Sequence, residues 1–130
     1  EEFSLRHKNK QIMAKSEIHI EVELDQDKSP ANILWSTTDG SEQAQKAKAM
    51  LLSFWDGADK SALKIDLWTK EMMVDEMADF YYQTLMSMGD TLLRSTNQKE
   101  LVEDMKNYAK EFYQKFRKVQ LAENKIEGKV

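Results

Sequence analysis

The sequence predicts an α+β fold: a three-stranded antiparallel sheet with helices packed on one face, in the order ββαβαα. Three observations carry that expectation. Two segments, residues 16–24 and 62–69, alternate apolar and polar residues with a period of two, the mark of half-buried antiparallel strands. Two long C-terminal segments carry apolar residues at helical spacing. Each such strand has one apolar face and each helix one apolar stripe, so helices stacked on one side of a sheet bury them all together.

In the first strand Ile18, Ile20, Val22 and Leu24 point one way, while Glu17, His19, Glu21 and Glu23 point the other. Residues 25–30 hold Asp, Lys, Ser and the single Pro, which is turn chemistry leading into a second strand over residues 32–38 with Ile33 and Trp35 on one face. Asp39, Gly40 and Ser41 end that strand. Ser41 then reads as the N-cap of a first helix carrying Ala44, Ala47, Met50, Leu51 and Phe54, which Asp56-Gly57 stops just after Trp55. The third strand, residues 62–69, sets Leu63, Ile65 and Leu67 against Lys64, Asp66 and Trp68.

From Val74 the period becomes helical, with Met77, Phe80, Tyr81, Leu85, Met88 and Leu92 in one stripe. Asp75, Glu76 and Asp79 sit in its first turns, where the helix dipole favours negative charge, so they read as dipole partners rather than paired catalytic acids. Gly89 inside this helix marks close packing or a bend. Asn97 with Glu100 resembles a capping box opening a last helix, whose stripe runs Leu101, Met105, Tyr108, Phe112, Phe116 and Val119 and which pairs antiparallel with its predecessor. Residues 1–12 show no period and read as a disordered extension or added leader, residues 13–120 as one domain, and residues 121–130, where the stripe is lost, as a fraying tail.

Length and composition bound the function. A chain of 130 residues with 41% hydrophobic and 32% charged residues has the balance of one soluble globular domain. The absence of cysteine excludes disulfides, thiolate-bound metals and a thiol nucleophile, and fits a reducing compartment. A net charge of −4 disfavours general nucleic-acid binding, which draws on Lys and Arg. That charge is uneven: residues 106–130 carry 7 basic and 3 acidic residues. No stretch is long and apolar enough for a transmembrane helix, and the expected location is the cytoplasm.

No assembled catalytic constellation emerges. There is no Gly-x-Ser-x-Gly elbow, no phosphate-binding glycine loop, and His7 and His19 are the only histidines. The Glu17/His19/Glu21 face of the first strand could share a divalent metal, but a solvated sheet face explains it as well. Together with Glu23, Lys64, Asp66 and Trp68 it would form a charged sheet face with one large aromatic, a setting for an interface anchor. Eight methionines, five of them between Met72 and Met88, serve either core filling or an adaptable surface. The basic last helix could meet an anionic membrane or an acidic partner, or simply be the solvated back of an amphipathic helix.

The run KAMLLSFWDGADKSALKIDLWTKEMMVDEM, residues 48–77, resembles the gliding motility protein GldC family of the Bacteroidetes. There, a Trp-Asp-Gly turn leads into a Leu-Lys-Ile-Asp-Leu-Trp-Thr-Lys strand and then a Val-Asp-Glu-Met helix start. Residues 16–24, the Ile33-Leu34-Trp35-Ser36 run with Thr38-Asp39, and residues 83–96 resemble its first strand, second strand and long helix, so the resemblance covers roughly residues 13–117. Met73 departs from it, standing where Pro would preorganise the helix start. The resemblance implies a small cytoplasmic accessory protein acting with the gliding and secretion machinery, with no catalytic residue, metal or cofactor.

The leading expectation is therefore a non-enzymatic interaction protein whose partner surface lies around Trp55, Asp66, Trp68, Lys70 and Met72, at the Trp-Asp-Gly turn and the outward face of the third strand. The alternative is a small-molecule or metal-binding domain using Glu17, His19 and Glu21. An unpaired edge of so small a sheet is also a natural place for a homodimer.

Overall fold

The structure, a computed structural model, describes residues 13–40 and 43–127. The leader expected over residues 1–12, the Ser41 cap and the last residues of the expected tail lie outside the described residues. Internal contacts divide the chain after Glu71, with all the strands in the first unit and both helices in the second.

In the first unit the alternating segment forms β1 (Ile18–Leu24), antiparallel to β2 (Pro30–Thr37) with Ile20 opposite Trp35 and Val22 opposite Ile33. Asp25 builds the turn between them. Its Oδ1 accepts the amides of Asp27 (2.9 Å) and Ser29 (3.1 Å), and Lys28 takes a left-handed φ of 61°. A short β3 (Gln45–Ala47) pairs with the other side of β2, setting Ala47 opposite Ile33, the largest fully buried side chain.

A second sheet holds only two strands, β4 (Ala49–Asp56) and β5 (Ser61–Trp68), paired from Ala49–Trp68 to Asp56–Ser61. Residues 57–60 form the hairpin loop, in which Asp56 Oδ1 accepts the amides of Ala58 (2.9 Å) and Asp59 (3.2 Å) and Lys60 has a φ of 54°. Just past β5, buried Thr69 donates both its amide and its hydroxyl to the carbonyl of Lys48, each at 2.8 Å.

The α+β class holds, but the single three-stranded sheet in the order ββαβαα does not. Among the described residues the order is five strands followed by two helices, and the strands form one three-stranded and one two-stranded sheet. The helix expected between Ser41 and Trp55 is β3 and β4 instead. The physical reason is that residues 47–55 are apolar at almost every position, so the run fits a helical stripe and an extended strand alike. Pairing decides between them: the Asp56 turn folds this run onto β5, and that ladder outweighs the helix propensity of its Ala, Met and Leu. Asp56-Gly57 is thus a hairpin turn and not a helix stop.

In the second unit α1 (Val74–Thr96) starts from an extended Met73 whose amide donates to Glu76 Oε1 at 3.2 Å, a bond that Pro at this position could not make. Asn97 ends α1 in the left-handed region (φ 55°), its amide donating to Leu93 O at 2.9 Å. It is therefore a C-cap, and the expected capping box with Glu100 is not formed. Asn tolerates this conformation, and the next helix, α2 (Lys99–Glu127), takes its first backbone bond from Val102 to Gln98 O instead.

The two helices run antiparallel: Asp79 meets Tyr113 (2.7 Å) near one end of the pair and Asp90 meets Lys106 (2.5 Å) nearer the other. Their buried seam is small-sided, made by Ala78, Gly89, Val102 and Ala109. At Gly89 a Cβ would lie 3.2 Å from the Lys106 side chain and 3.7 Å from Val102, which confirms close packing as the reason for that glycine. The expected stripe lies beside this seam, and Tyr81 and Met88 from it remain exposed.

Candidate partner-binding surface

Alternation along the β4–β5 ladder gives the ribbon two unlike faces. One carries Leu51, Ser53 and Trp55 with Lys64, Asp66 and Trp68. The other is apolar up to the Asp56–Ser61 pair at the loop end: Met50, Leu52 and Phe54 stand opposite Leu67, Ile65 and Leu63. Phe54, Leu63 and Ile65 are each more than half exposed.

Trp55, Asp66 and Trp68 therefore share a face, as the sequence predicts for Asp66 and Trp68, but the ribbon does not gather them into one cluster. Trp55 pairs with Ala62 at the loop end and Trp68 with Ala49 at the far end, which separates the two indoles by roughly 20 Å of strand. Both are exposed, at 69% and 58%. At the far end the structure does bring Asp66, Trp68 and Lys70 together, around an open depression of about 420 Å³ completed by Ser29, Pro30 and Leu67. Ser29 and Pro30 are not legible in the sequence as part of this site because they stand at the end of the β1–β2 turn and the start of β2, more than thirty positions away in the chain, and no local period reports such a meeting.

Lys70 has a structural partner. Its ammonium lies 2.7 Å from Asp25 Oδ2 and clasps the β1–β2 turn to the end of β5. The Lys70 bond, then the Ser29 amide, hold the Asp25 carboxyl below the usual carboxylate range. Lys70 thus shapes the depression more than it offers a free cation. Met72 opens the second unit and is half-buried there.

The alternative site is sparser. His19 Nε2 lies 3.0 Å from Glu17 Oε2, with both side chains exposed, but β1 pairs with β2, and Lys64, Asp66 and Trp68 stand on a different sheet. The joint charged face expected from Glu17 to Trp68 is not built. Among the described residues no group of three His, Asp or Glu side chains is placed to hold a metal ion. On α2, Lys106 is bonded to Asp90 and Arg117 lies 5.8 Å from the centre of the Tyr113 ring, so two of its basic side chains are used within the helical pair. No described helix is long and apolar enough to cross a membrane.

The family model of GldC-like gliding motility-associated proteins matches residues 30–118, which takes in β2 through most of α2. Searches of curated proteins and of solved structures return no match.

Proposed function

Because the chain belongs to the GldC-like family of gliding motility-associated proteins, we propose that it supports gliding as a non-enzymatic interaction protein of the cytoplasm, docking a protein of the gliding or secretion machinery at the end of the β4–β5 ribbon. The observation that carries this reading is the depression beside Trp68: an exposed indole next to Pro30 and the Asp66 carboxylate, on backbone that Thr69 and the Asp25–Lys70 clasp hold in place. Aromatic side chains of this kind anchor interfaces, because they bring a large rigid contact area with little entropy to lose. Trp55 lies outside this cluster and is a secondary contact, and Met72 is an expectation of the same surface. No cofactor enters the reading.

The test replaces Trp68 with Glu in a gliding host and compares colony spreading and crosslinked partners with the wild type. Loss of spreading together with loss of a specific gliding or secretion component, in a variant with native circular dichroism, supports the site. Normal spreading by the folded variant overturns it.

A further inference from the structure

The outer edge of β5 pairs with no described strand. The Thr69 amide bonded to Lys48 O sets which backbone groups face which way, since in an antiparallel ladder alternate residues direct both N–H and C=O to the same side. Leu63, Ile65 and Leu67 thus turn their backbone groups toward β4, while Ala62, Lys64, Asp66 and Trp68 turn theirs to the open edge. An edge eight residues long whose outward donors and acceptors meet no described strand is a template for another strand. A two-stranded ribbon with a largely apolar face also gains from added strands, because an isolated hairpin is barely stable in water.

We propose that this edge binds its own counterpart in a second copy of the chain, joining two ribbons into a four-stranded antiparallel sheet with a two-fold axis at Ile65. The sequence of β5 is complementary to itself about that residue. Lys64 falls opposite Asp66 of the second copy, twice by symmetry; Leu63 falls opposite Leu67, Ile65 opposite Ile65, and Ala62 opposite Trp68. The open-edge groups then form about eight backbone hydrogen bonds.

Side-chain parity allows the axis to move only one residue at a time, and either step is penalised. An axis at Lys64 sets Lys64 against itself, and an axis at Asp66 sets Asp66 against itself. Among the described residues no ion pair or side-chain hydrogen bond engages Lys64 or Asp66, so both are free for this exchange. The open edge of β4 has no such charges to fix a register. The paired sheet presents a continuous apolar face of Met50, Leu52, Phe54, Leu63, Ile65 and Leu67 from both copies. Ala62 opposite Trp68 leaves the indole uncovered, so the proposal goes beyond the partner-binding role and does not depend on it.

Sedimentation velocity of the full chain between about 2 and 200 µM tests the association. The wild type is expected to shift from monomer to dimer within that range, since an edge interface is small. Asp66→Lys and Lys64→Asp each place like charges opposite one another at both symmetric positions and should weaken the dimer about tenfold or more. The double swap Lys64→Asp with Asp66→Lys should restore it.

The chain has no cysteine, so Ile65→Cys reports the axis directly. Opposed Cα atoms about 4.5 Å apart lie within disulfide range and should crosslink on oxidation. Leu63→Cys, roughly 13 Å from its counterpart in this register, should not. A wild type that stays monomeric to 200 µM overturns the proposal. So do single charge variants as dimeric as the wild type, a double swap that fails to recover, or crosslinking at position 63 in place of 65. Trp68→Glu should remain dimeric, which separates a failure here from a failure of the partner site.

Discussion

The β4–β5 ribbon and the α1–α2 hairpin are both two-element antiparallel pairs, held by opposite means. In the ribbon the backbone ladder does the joining, and large side chains such as Phe54, Leu63 and Ile65 stand more than half exposed. In the hairpin the backbones approach because the seam is small-sided, at Ala78, Gly89 and Ala109, and the large apolar side chains lie beside it. A helix satisfies its own hydrogen bonds and can associate only through side chains, whereas a strand carries its joining groups on the main chain. Side-chain volume is therefore critical in the hairpin, and backbone access is critical in the ribbon.

The largest expected contrast comes from volume. Ala109→Leu forces a branched side chain into a fully buried seam and should destabilise the chain by about 2–3 kcal/mol, read by urea unfolding. Leu63→Ser, at an exposed ribbon position, should cost below about 0.5 kcal/mol in the monomer. Equal costs would break the comparison, because they would mean that the ribbon face is as tightly packed as the seam.

A smaller effect tests the claim that main-chain bonds hold the ribbon. Thr69→Val keeps the amide bond to Lys48 O and removes only the hydroxyl bond to the same carbonyl. The expected loss is about 1 kcal/mol, since one of the two donors to that carbonyl remains. A loss of several times that size would show that the side chain, and not the ladder, closes this end.

What was legible in the sequence follows the same division. β1, β5 and α1 were readable because each has a single unambiguous period, and the turn at Asp25 announced itself through its residue types. β4 was misread because a run apolar on both faces has no unique period, and only its pairing with β5 makes it extended. The seam of the hairpin was missed for a related reason: Ala and Gly contribute little to a hydrophobic pattern, yet they mark where helices come closest. At the candidate site, Asp66 and Trp68 were visible from alternation, while Ser29 and Pro30 are brought there by tertiary structure alone.

The least effect expected, and the one that sharpens the comparison most, is in the pH dependence. Each region has a close clasp between a carboxylate and a lysine: Asp25–Lys70 (2.7 Å) in the strand unit, beside the looser Lys46–Glu71 pair (3.7 Å), and Asp90–Lys106 (2.5 Å) in the hairpin. The bond from lysine, first among its causes, lowers both carboxyl pKa values below the usual range. A carboxyl depressed in the folded state stabilises it fully above the unfolded carboxylate pKa, and that contribution disappears as pH falls through the lower folded value. Both clasps should thus be intact at neutral pH and lost together below the ordinary carboxylate range, by an amount that added salt reduces because both are open to solvent.

Tyr113 adds a signature at the opposite end of the scale. Its hydrogen bond to Asp79, followed by desolvation, raises the phenol pKa, so the stabilisation it provides is complete below the unfolded tyrosine pKa and is lost as pH rises through the folded one. All four tyrosines lie in the helical unit, and this second limb is the hairpin's. Tyr113→Phe should remove the alkaline change in hairpin helicity and leave the acid one, while Asp25→Asn should reduce the acid change without touching the alkaline limb. Circular dichroism at the helical minimum, beside Trp fluorescence from the three indoles, all of which lie in the strand unit, reads the two regions separately. Alkaline loss reported first by the indoles would mean that the two units do not titrate as the separate clasps require.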